Sequence, residues 1–323
     1  DGLHEAGYVT CDSLASIKRL PNRLVVVGGG RTGCELAQAF SRLGSNVTLI
    51  EAQAQLLPAD DPSAAELLTG VFRSEGMRVL TGAQVVEVQQ LATGGRRVFY
   101  ERGLEAAYQD CDEVLIALGH APVLEGLGLE TAGVEFDRDG IRVDEFLRTS
   151  NPRILAAGDV CRRPRLGLAA ATHGRIAAEN ALFWRKRRGS RLVVPHCTRT
   201  DPQVVAVEDS RAVAKGGLSR VSLALGSSAS ASSEPHEFVH VDARGRAGSI
   251  ARVLLVAHRA QDLFAPFALA MDAGLPLRTI AHRDTGNAGA LLGRVAEEFA
   301  RVNRAPGWLD WAARHLFGSR ARA

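Results

Sequence analysis

A glycine-rich run and one acidic residue carry the clearest chemical signal in this chain. Gly28–Gly33 reads Gly-Gly-Gly-Arg-Thr-Gly and fits the pattern G-x-G-x-x-G. It follows the β-branched run Arg23–Val27 and opens a helix-period stretch that extends to about Leu43. Glu51 stands eighteen residues after the last glycine, at the end of a second predicted strand. This context predicts a β-α-β unit that binds a dinucleotide.

The residue types in this run match what such binding requires. Gly28 permits the tight turn, Gly30 lets a pyrophosphate approach the backbone, and Gly33 allows close packing of helix against strand. The helix N-terminus offers free N–H groups and a partial positive charge to the phosphates. The residues predicted to bind this part of the coenzyme are Gly28, Gly29, Gly30, Arg31, Thr32 and Gly33.

Glu51 predicts the choice of coenzyme. Its carboxylate would accept hydrogen bonds from the adenosine ribose hydroxyls, and a 2′-phosphate at the same place would meet a negative charge. The four residues that follow, Ala52–Gln55, contain no cation. The sequence therefore favours NAD(H) over NADP(H). A β-α-β turn that binds nothing stays open as the alternative interpretation.

The pattern of predicted elements places this unit in an α/β fold. A second helix begins at Asp61-Pro62-Ser63, and short strands follow before the apolar run Val114–Ala117. A long helix is predicted from about Arg165 to Trp184. From about residue 191, strands and then helices indicate an α+β region. Gly226–Ser233 is predicted to be a polar loop within it. The prediction is a doubly wound parallel sheet followed by a separate α+β domain.

Composition narrows the class of protein without naming its chemistry. The 323 residues are 46% hydrophobic and 23% charged, with a net charge of +3, which does not indicate nucleic-acid binding by bulk charge. No apolar run is long enough to span a membrane. The five cysteines, Cys11, Cys34, Cys111, Cys161 and Cys197, contain no C-x-x-C or C-x-x-x-x-C pair. A disulfide framework or a metal site is not expected, and a cytoplasmic location fits best.

Several further stretches resemble the class I pyridine nucleotide-disulfide oxidoreductases, the family of dihydrolipoamide dehydrogenase, glutathione reductase and mercuric reductase. The similarity extends from residue 1 to about residue 302. Beside the glycine-rich segment it is carried by Gly2–Thr10, Leu118–Pro122, Thr149–Asp159 and Thr200–Val204. The resemblance implies Rossmann-type FAD- and NAD(P)-binding domains, a dimerisation domain and a homodimer. It also implies that electrons pass from NADH through FAD to a disulfide or metal substrate.

The resemblance assigns roles to particular residues. Glu35 would lie in the NAD cleft, and Val85 and Gly119 would line the adenosine side. Gly158 and Asp159 would bind the ribityl chain of FAD, and Gly167 would lie at the flavin. A helix N-terminus at that point would stabilise a reduced, anionic flavin ring. The implied domains are a link (1–20), an NAD(H)-binding domain (21–121), the C-terminal part of an FAD domain (122–190) and a diverged dimerisation domain (191–323).

The departures from the family pattern bear on activity. The first FAD motif and the redox C-x-x-x-x-C of the family have no counterpart in these 323 residues. The C-terminal His-Pro-x-x-x-Glu is also absent: His282 lacks the following Pro, and Leu292 stands about where the Glu would be. His120 and Leu118 replace the Arg and Thr of the motif A-T-G-R-x-P. No catalytic residue is predicted, and a nucleotide-binding remnant without turnover of its own stays open as the second interpretation.

Three further features have two interpretations each. Cys34 is either a small core residue or a thiol whose pKa is lowered by the helix dipole. His236 and His240 could share a strand face as a metal pair, although no third ligand is near. The basic amphipathic tail after Trp308 either packs on the C-terminal domain or contacts a membrane surface.

Overall fold

The computed structural model describes residues 1–92, 94–162, 167–183, 187–189, 195–209, 213, 216–225, 237–281 and 286–302. The helices are α1 (Leu3–Ala6), α2 (Arg31–Arg42), α3 (Pro62–Ser74), α4 (Gly167–Leu182), α5 (Ala260–Asp272), α6 (Leu277–Ile280) and α7 (Gly286–Val302). The strands are β1 (Val9–Thr10), β2 (Arg23–Val27), β3 (Asn46–Glu51), β4 (Arg78–Thr81), β5 (Ala83–Gln90), β6 (Arg96–Arg102), β7 (Glu105–Cys111), β8 (Glu113–Ile116), β9 (Phe136–Asp137), β10 (Gly140–Ile141), β11 (His196–Thr198), β12 (Gln203–Glu208), β13 (Leu218–Ala224), β14 (Phe238–Arg244) and β15 (Ser249–Ala257).

A parallel sheet forms the centre of the first half, as the sequence predicts. Its strand order is β1-β8-β2-β3-β4, and the neighbouring pairs are parallel. β2 and β3 are buried along nearly their whole length, which is why both consist mainly of Val, Leu and Ile. β2, α2 and β3 confirm the predicted β-α-β unit to within a residue or two. Their carboxyl ends, where ligands bind in such sheets, bring together the glycine-rich run and Glu51.

The two faces of this sheet are covered differently. One face packs against α2 and α3, with Phe40, Leu68 and Phe72 buried between them. The other face packs against the antiparallel sheet β5-β6-β7, which forms the connection from β4 to β8. β7 was not predicted, because its side chains are mostly exposed and polar. The predicted short strands at residues 79–100 belong to β4, β5 and β6.

The C-terminal part is an antiparallel sheet covered by helices on one face. Its strand order is β11-β12-β15-β14-β13, and α5, α6 and α7 pack on one side around Phe264, Phe267 and Phe299. The other side contributes Val204, Phe238 and other residues to the same hydrophobic cluster as α3. The sheet therefore shares part of its core with the nucleotide-binding unit. The predicted ends of the long helix at Arg165 and Trp184, and the loop 226–233, lie outside the described residues.

Candidate functional site

The glycine-rich turn has a backbone that excludes larger residues at two positions. Gly28 has a φ of 108°, and its N–H donates to the carbonyl of Ile50 at 2.8 Å. A Cβ added at Gly28 would lie 2.6 Å from the carbonyl oxygen of Ala117, and one at Gly33 would lie 1.8 Å from that of Gly28. Gly28 thus forms the turn from β2, and Gly33 lets α2 pack directly on it, as predicted from their spacing.

The N-terminus of α2 is open toward the carboxyl edge of the sheet. Gly30 is the N-cap residue, with an extended ψ of −178° and no side chain to cap the helix. A Cβ added at Gly30 would have no atom within 4 Å outside its chain neighbours. The first-turn N–H groups of Arg31, Thr32 and Gly33 have no carbonyl inside the helix to bind. This geometry suits a phosphate, which would sit where a larger residue at position 30 would project.

Glu51 is tied into the turn more tightly than the sequence indicates. The side chain is only 8% exposed. Its Oε2 accepts a hydrogen bond from Gly29 N–H at 2.6 Å, and its Oε1 accepts one from Gln53 N–H at 2.7 Å. The carboxylate therefore holds the glycine-rich turn and the following segment in one arrangement. Each carboxylate oxygen can accept a second hydrogen bond.

The segment from residue 52 to residue 61, named here the 52–61 segment, completes this side of the site. Leu57 N–H donates to the Gly29 carbonyl at 2.8 Å, and Asp60 N–H donates to the Leu57 carbonyl at 2.8 Å. Leu56 is buried against Gly29: a Cβ added at Gly29 would lie 2.7 Å from Cδ2 of Leu56. Sequence reasoning missed these residues, because the only signal in the segment is the helix start at Asp61.

One stripe of α2 binds the segment between β11 and β12. Glu35 Oε1 accepts a hydrogen bond from Arg199 N–H at 2.7 Å. The buried amide of Gln38 donates to the Asp201 carbonyl at 2.8 Å and accepts from Asp201 N–H at 2.7 Å. Arg42 forms an ion pair with Asp201 at 3.0 Å. Glu35 thus lies on the first turns of α2, and its carboxylate is bound to the connection between β11 and β12.

The two residues predicted on the adenosine side lie at different elements. Gly119 follows β8 with a φ of 115° and no atom within 4 Å of an added Cβ. It lies close to the glycine-rich turn, because the carbonyl of Ala117, two residues earlier, lies directly against Gly28. Val85 lies in β5 and packs with the cluster between the parallel sheet and the three-stranded sheet. Leu118, which precedes Gly119, is 73% exposed.

The residues predicted for the flavin lie around the start of α4. Gly158 has a φ of 81°, and a Cβ added there would lie 3.2 Å from the Cβ of Ala170 in the first turns of α4. Asp159 is exposed beside this close contact. Gly167 is the first residue of α4. The structure therefore brings Gly158, Asp159 and the helix N-terminus into one region.

The cysteines are poor nucleophiles in this structure. Cys34, Cys111 and Cys161 are buried, and burial raises the pKa of Cys111 to about 12 and that of Cys161 to about 11. Burial also raises the pKa of Cys34, whose Sγ donates to the Gly29 carbonyl at 3.3 Å. The core interpretation of Cys34 is confirmed, because the side chain is fully buried and burial raises its pKa instead of lowering it. Cys11 and Cys197 are half-buried, and burial raises the pKa of both.

The described part of the chain contains no group of three or more His, Cys, Asp or Glu residues that could hold a metal ion. His240 lies in β14 beside Phe238, with its ring centroid 4.4 Å away, and burial lowers its pKa. His236, His282 and the tail after Trp308 lie outside the described residues. Within those residues, no helix is both long and apolar enough to cross a bilayer.

The structure combines a Rossmann-type α/β fold with a glycine-rich turn that opens a helix N-terminus at the carboxyl edge of the parallel sheet. A model of the family described as pyridine nucleotide-disulphide oxidoreductase matches residues 2–174. The chain belongs to this family, and the resemblance inferred from its motifs is confirmed.

Curated relatives carry the names of two kinds of enzyme. The chain is similar to mercuric reductase from Streptomyces lividans, with 35% identity over 292 residues, which is 87% of this chain and 60% of the relative. It is also similar to dihydrolipoyl dehydrogenase from Thermus scotoductus, with 43% identity over 165 residues, which is 50% of this chain and 36% of the relative. The chain thus spans only part of the length of these relatives.

Solved structures share the fold over nearly the whole chain. LpdA from Mycobacterium tuberculosis has a TM-score of 0.78 and 29% identity, and the match covers 91% of this chain and 64% of that one. The flavoprotein disulfide reductase RclA from Escherichia coli also has a TM-score of 0.78, over 92% of this chain and 68% of that one, with 24% identity. These likenesses confirm the α/β fold class.

Proposed function

We propose that this chain binds NAD(H) at the glycine-rich turn and forms the coenzyme-binding part of an FAD-dependent oxidoreductase. The observation that carries the proposal is the combination of an open helix N-terminus at Gly30 with a buried carboxylate, Glu51, beside it. The turn would hold the pyrophosphate, and Glu51 would accept hydrogen bonds from the ribose. Bound NADH would supply a hydride.

The residues near α4 fit part of an FAD site. Asp159 would accept hydrogen bonds from the ribityl hydroxyls, and the N-terminus of α4 at Gly167 would face the flavin. The adenosine half of the FAD site has no glycine-rich motif within these residues. By family membership the full reaction would pass electrons from NADH through FAD to a disulfide or to a metal ion as substrate, in a cytoplasmic homodimer. Light scattering of the purified chain tests the dimer.

A second candidate function is nucleotide binding without turnover. It is favoured by the absence of a C-x-x-x-x-C pair and by the raised thiol pKa values of the five cysteines. Reduction of a disulfide requires a thiolate that attacks sulfur, and buried thiols supply little of it. We expect no NADH oxidation by this chain alone with lipoamide, glutathione disulfide or Hg(II), with or without added FAD. Turnover well above that of a variant unable to bind NADH would contradict this expectation.

Gly30 provides the test of the binding site. A side chain at this position meets no protein atom within 4 Å beyond its chain neighbours, and the φ of −69° suits any residue. Gly30→Val should therefore fold normally but occupy the place of the phosphates. We expect calorimetry to show NADH affinity reduced at least about tenfold, about 1.4 kcal/mol, with a melting temperature lowered by no more than about 2 °C because valine is a poorer N-cap residue than glycine. The matched control is Gly70→Val on the exposed side of α3, where an added Cβ also meets no atom within 4 Å. Undiminished NADH binding by Gly30→Val would refute the proposed site.

A further inference from the structure

Two contacts join the C-terminal sheet to the 52–61 segment. Nε2 of His196, in β11, lies 2.6 Å from Oδ1 of Asp60, and Nη2 of Arg220, in β13, lies 3.0 Å from Oδ2 of Asp61. The side chains of Asp60 and Asp61 are only 5% and 13% exposed. Because water has little access to these carboxylates, their attraction to the C-terminal side chains is screened less than that of surface pairs.

The guanidinium of Arg220 is oriented before it reaches Asp61. Its Nε and Nη2 donate to the two carboxylate oxygens of Asp242 at 2.7 and 2.9 Å, and the Asp242 side chain is 8% exposed. Such a two-point pair fixes the plane of the guanidinium. On the other side, Oδ1 of Asp61 caps α3 by accepting from Ser63 N–H at 3.1 Å. Arg220 therefore binds Oδ2 of Asp61, the oxygen that does not cap α3.

The 52–61 segment connects these contacts to the coenzyme site. Asp60 N–H donates to the Leu57 carbonyl, and Leu57 N–H donates to the Gly29 carbonyl, both at 2.8 Å. Gln53, at the other end of the segment, donates to Glu51 at 2.7 Å. A displacement of Asp60 and Asp61 would therefore move the groups that hold the Glu51 carboxylate. The segment also contacts the glycine-rich turn at Gly29, but the free first-turn N–H groups belong to α2, which Gln38 and Arg42 hold separately through Asp201.

We propose that His196 and Arg220 are positioning residues that set the preference of the coenzyme site for NADH over NADPH. They hold Asp60 and Asp61, and through the 52–61 segment they keep Glu51 directed at the ribose. This proposal rests on the proposed function, since it requires a dinucleotide at the glycine-rich turn. A loosened segment weakens the ribose end of the site and leaves the phosphate end unchanged. NADH, which depends on Glu51, loses affinity, whereas NADPH, which Glu51 repels, does not.

Arg220→Gln tests the proposal, and Arg252→Gln is its matched control. Arg252 also pairs with Asp242, and with Glu208, but these partners lie within the C-terminal sheet. Calorimetry with NADH and NADPH should show that Arg220→Gln weakens NADH at least about fivefold and changes NADPH by less than about twofold. Arg252→Gln should keep the wild-type ratio of NADH affinity to NADPH affinity. Arg220→Lys, which keeps the charge without the planar fork, should restore part of the ratio.

The outcomes separate this proposal from the proposed function. If the wild-type protein does not bind NADH, the dinucleotide site itself is refuted, and the positioning role with it. If Arg220→Gln weakens both coenzymes equally, or has the same effect as Arg252→Gln, Arg220 is only structural and the positioning role is refuted. His196→Gln tests the other contact independently should Arg220→Gln fold poorly. Hydrogen exchange should then show faster exchange of Leu57 N–H and Asp60 N–H, and unchanged exchange would contradict the proposed connection.

Discussion

Glu51→Gln should separate the two tasks that the structure gives this side chain. The carboxylate accepts from Gly29 N–H and Gln53 N–H through different oxygens. A glutamine amide has nearly the same shape but only one oxygen, so one of the two N–H groups would face the side-chain NH₂. The substitution therefore removes one hydrogen bond and the charge without creating a cavity.

The cost to stability follows from the burial of the site. Gly29 is buried, so its N–H group cannot recover a partner from bulk water if the glutamine NH₂ faces it. An unsatisfied buried donor costs about 1–3 kcal/mol. For a chain of this size the melting temperature should fall by about 1–2 °C for each kcal/mol. Glu66→Gln, an exposed carboxylate on α3, is the control for the loss of charge and should change the melting temperature by little.

The effect on coenzyme choice is larger. A unit charge on a 2′-phosphate about 4 Å from the carboxylate would be repelled by about 4 kcal/mol at an effective dielectric constant of about 20. In the wild-type protein we expect NADH to bind at least about tenfold tighter than NADPH. Glu51→Gln removes the repulsion and also weakens the hydrogen bonds to the ribose hydroxyls, so the two affinities should converge.

Calorimetric titration of both coenzymes, at a temperature well below the lower melting point, measures this convergence. A Glu51→Gln protein that is folded and keeps the wild-type ratio of NADH to NADPH affinity would show that Glu51 only supports the turn. Equal affinities in the wild-type protein would also refute the assignment, because the buried carboxylate would then not face the ribose at all.

Three further predictions concern the turn, the flavin and acid stability. Gly33→Ala places a Cβ 1.8 Å from the Gly28 carbonyl oxygen, so we expect a lower melting temperature and loss of NADH binding together, unlike Gly30→Val. The purified chain should carry little or no flavin after gel filtration, and a stoichiometric yellow protein in the absorption spectrum would contradict this. Burial alone would raise the pKa of Asp61 and of Asp201. Hydrogen bonds outweigh it, from Ser63 to Asp61 and from His258 and Arg42 to Asp201, and they hold both pKa values below the ordinary 3.8. A lowered folded pKa contributes stability that is present above pH 3.8 and is lost as pH falls through the folded pKa. Urea midpoints should therefore decline below about pH 4, and less steeply in Asp201→Asn.

The β-α-β unit could be predicted from the sequence because local rules alone determine it. The buried runs of β2 and β3, the glycines of the turn and the periodicity of α2 each depend on neighbours within about 30 residues. The burial of Leu68 and Phe72 in α3 follows from the same periodicity. The start at Asp61 follows from helix-capping chemistry, and its side chain does accept from Ser63 N–H.

The contacts between distant segments could not be predicted in this way. Glu35, Gln38 and Arg42 lie on one stripe of α2 and read in the sequence as a solvated polar face. Their partners, Arg199 and Asp201, lie about 160 residues later in the chain. Most of these contacts use backbone groups, which every residue type carries, so the residue types do not indicate them. β7 was missed for a related reason, since its polar residues pair with β6 and owe their strand conformation to that partner.

The C-terminal sheet is not independent of the coenzyme site, although its sequence predicts a separate domain. One of its faces carries its own helices, with Phe264 and Phe299 buried there. The opposite face buries Phe238 and Leu254 in the same cluster as Phe72 of α3. Burial of Phe238 and Leu254 joins this face of the sheet to the nucleotide-binding unit, and the pairs at Asp60 and Asp61 add two polar contacts between them. We therefore expect that a substitution in the C-terminal sheet changes coenzyme binding without any contact to the coenzyme.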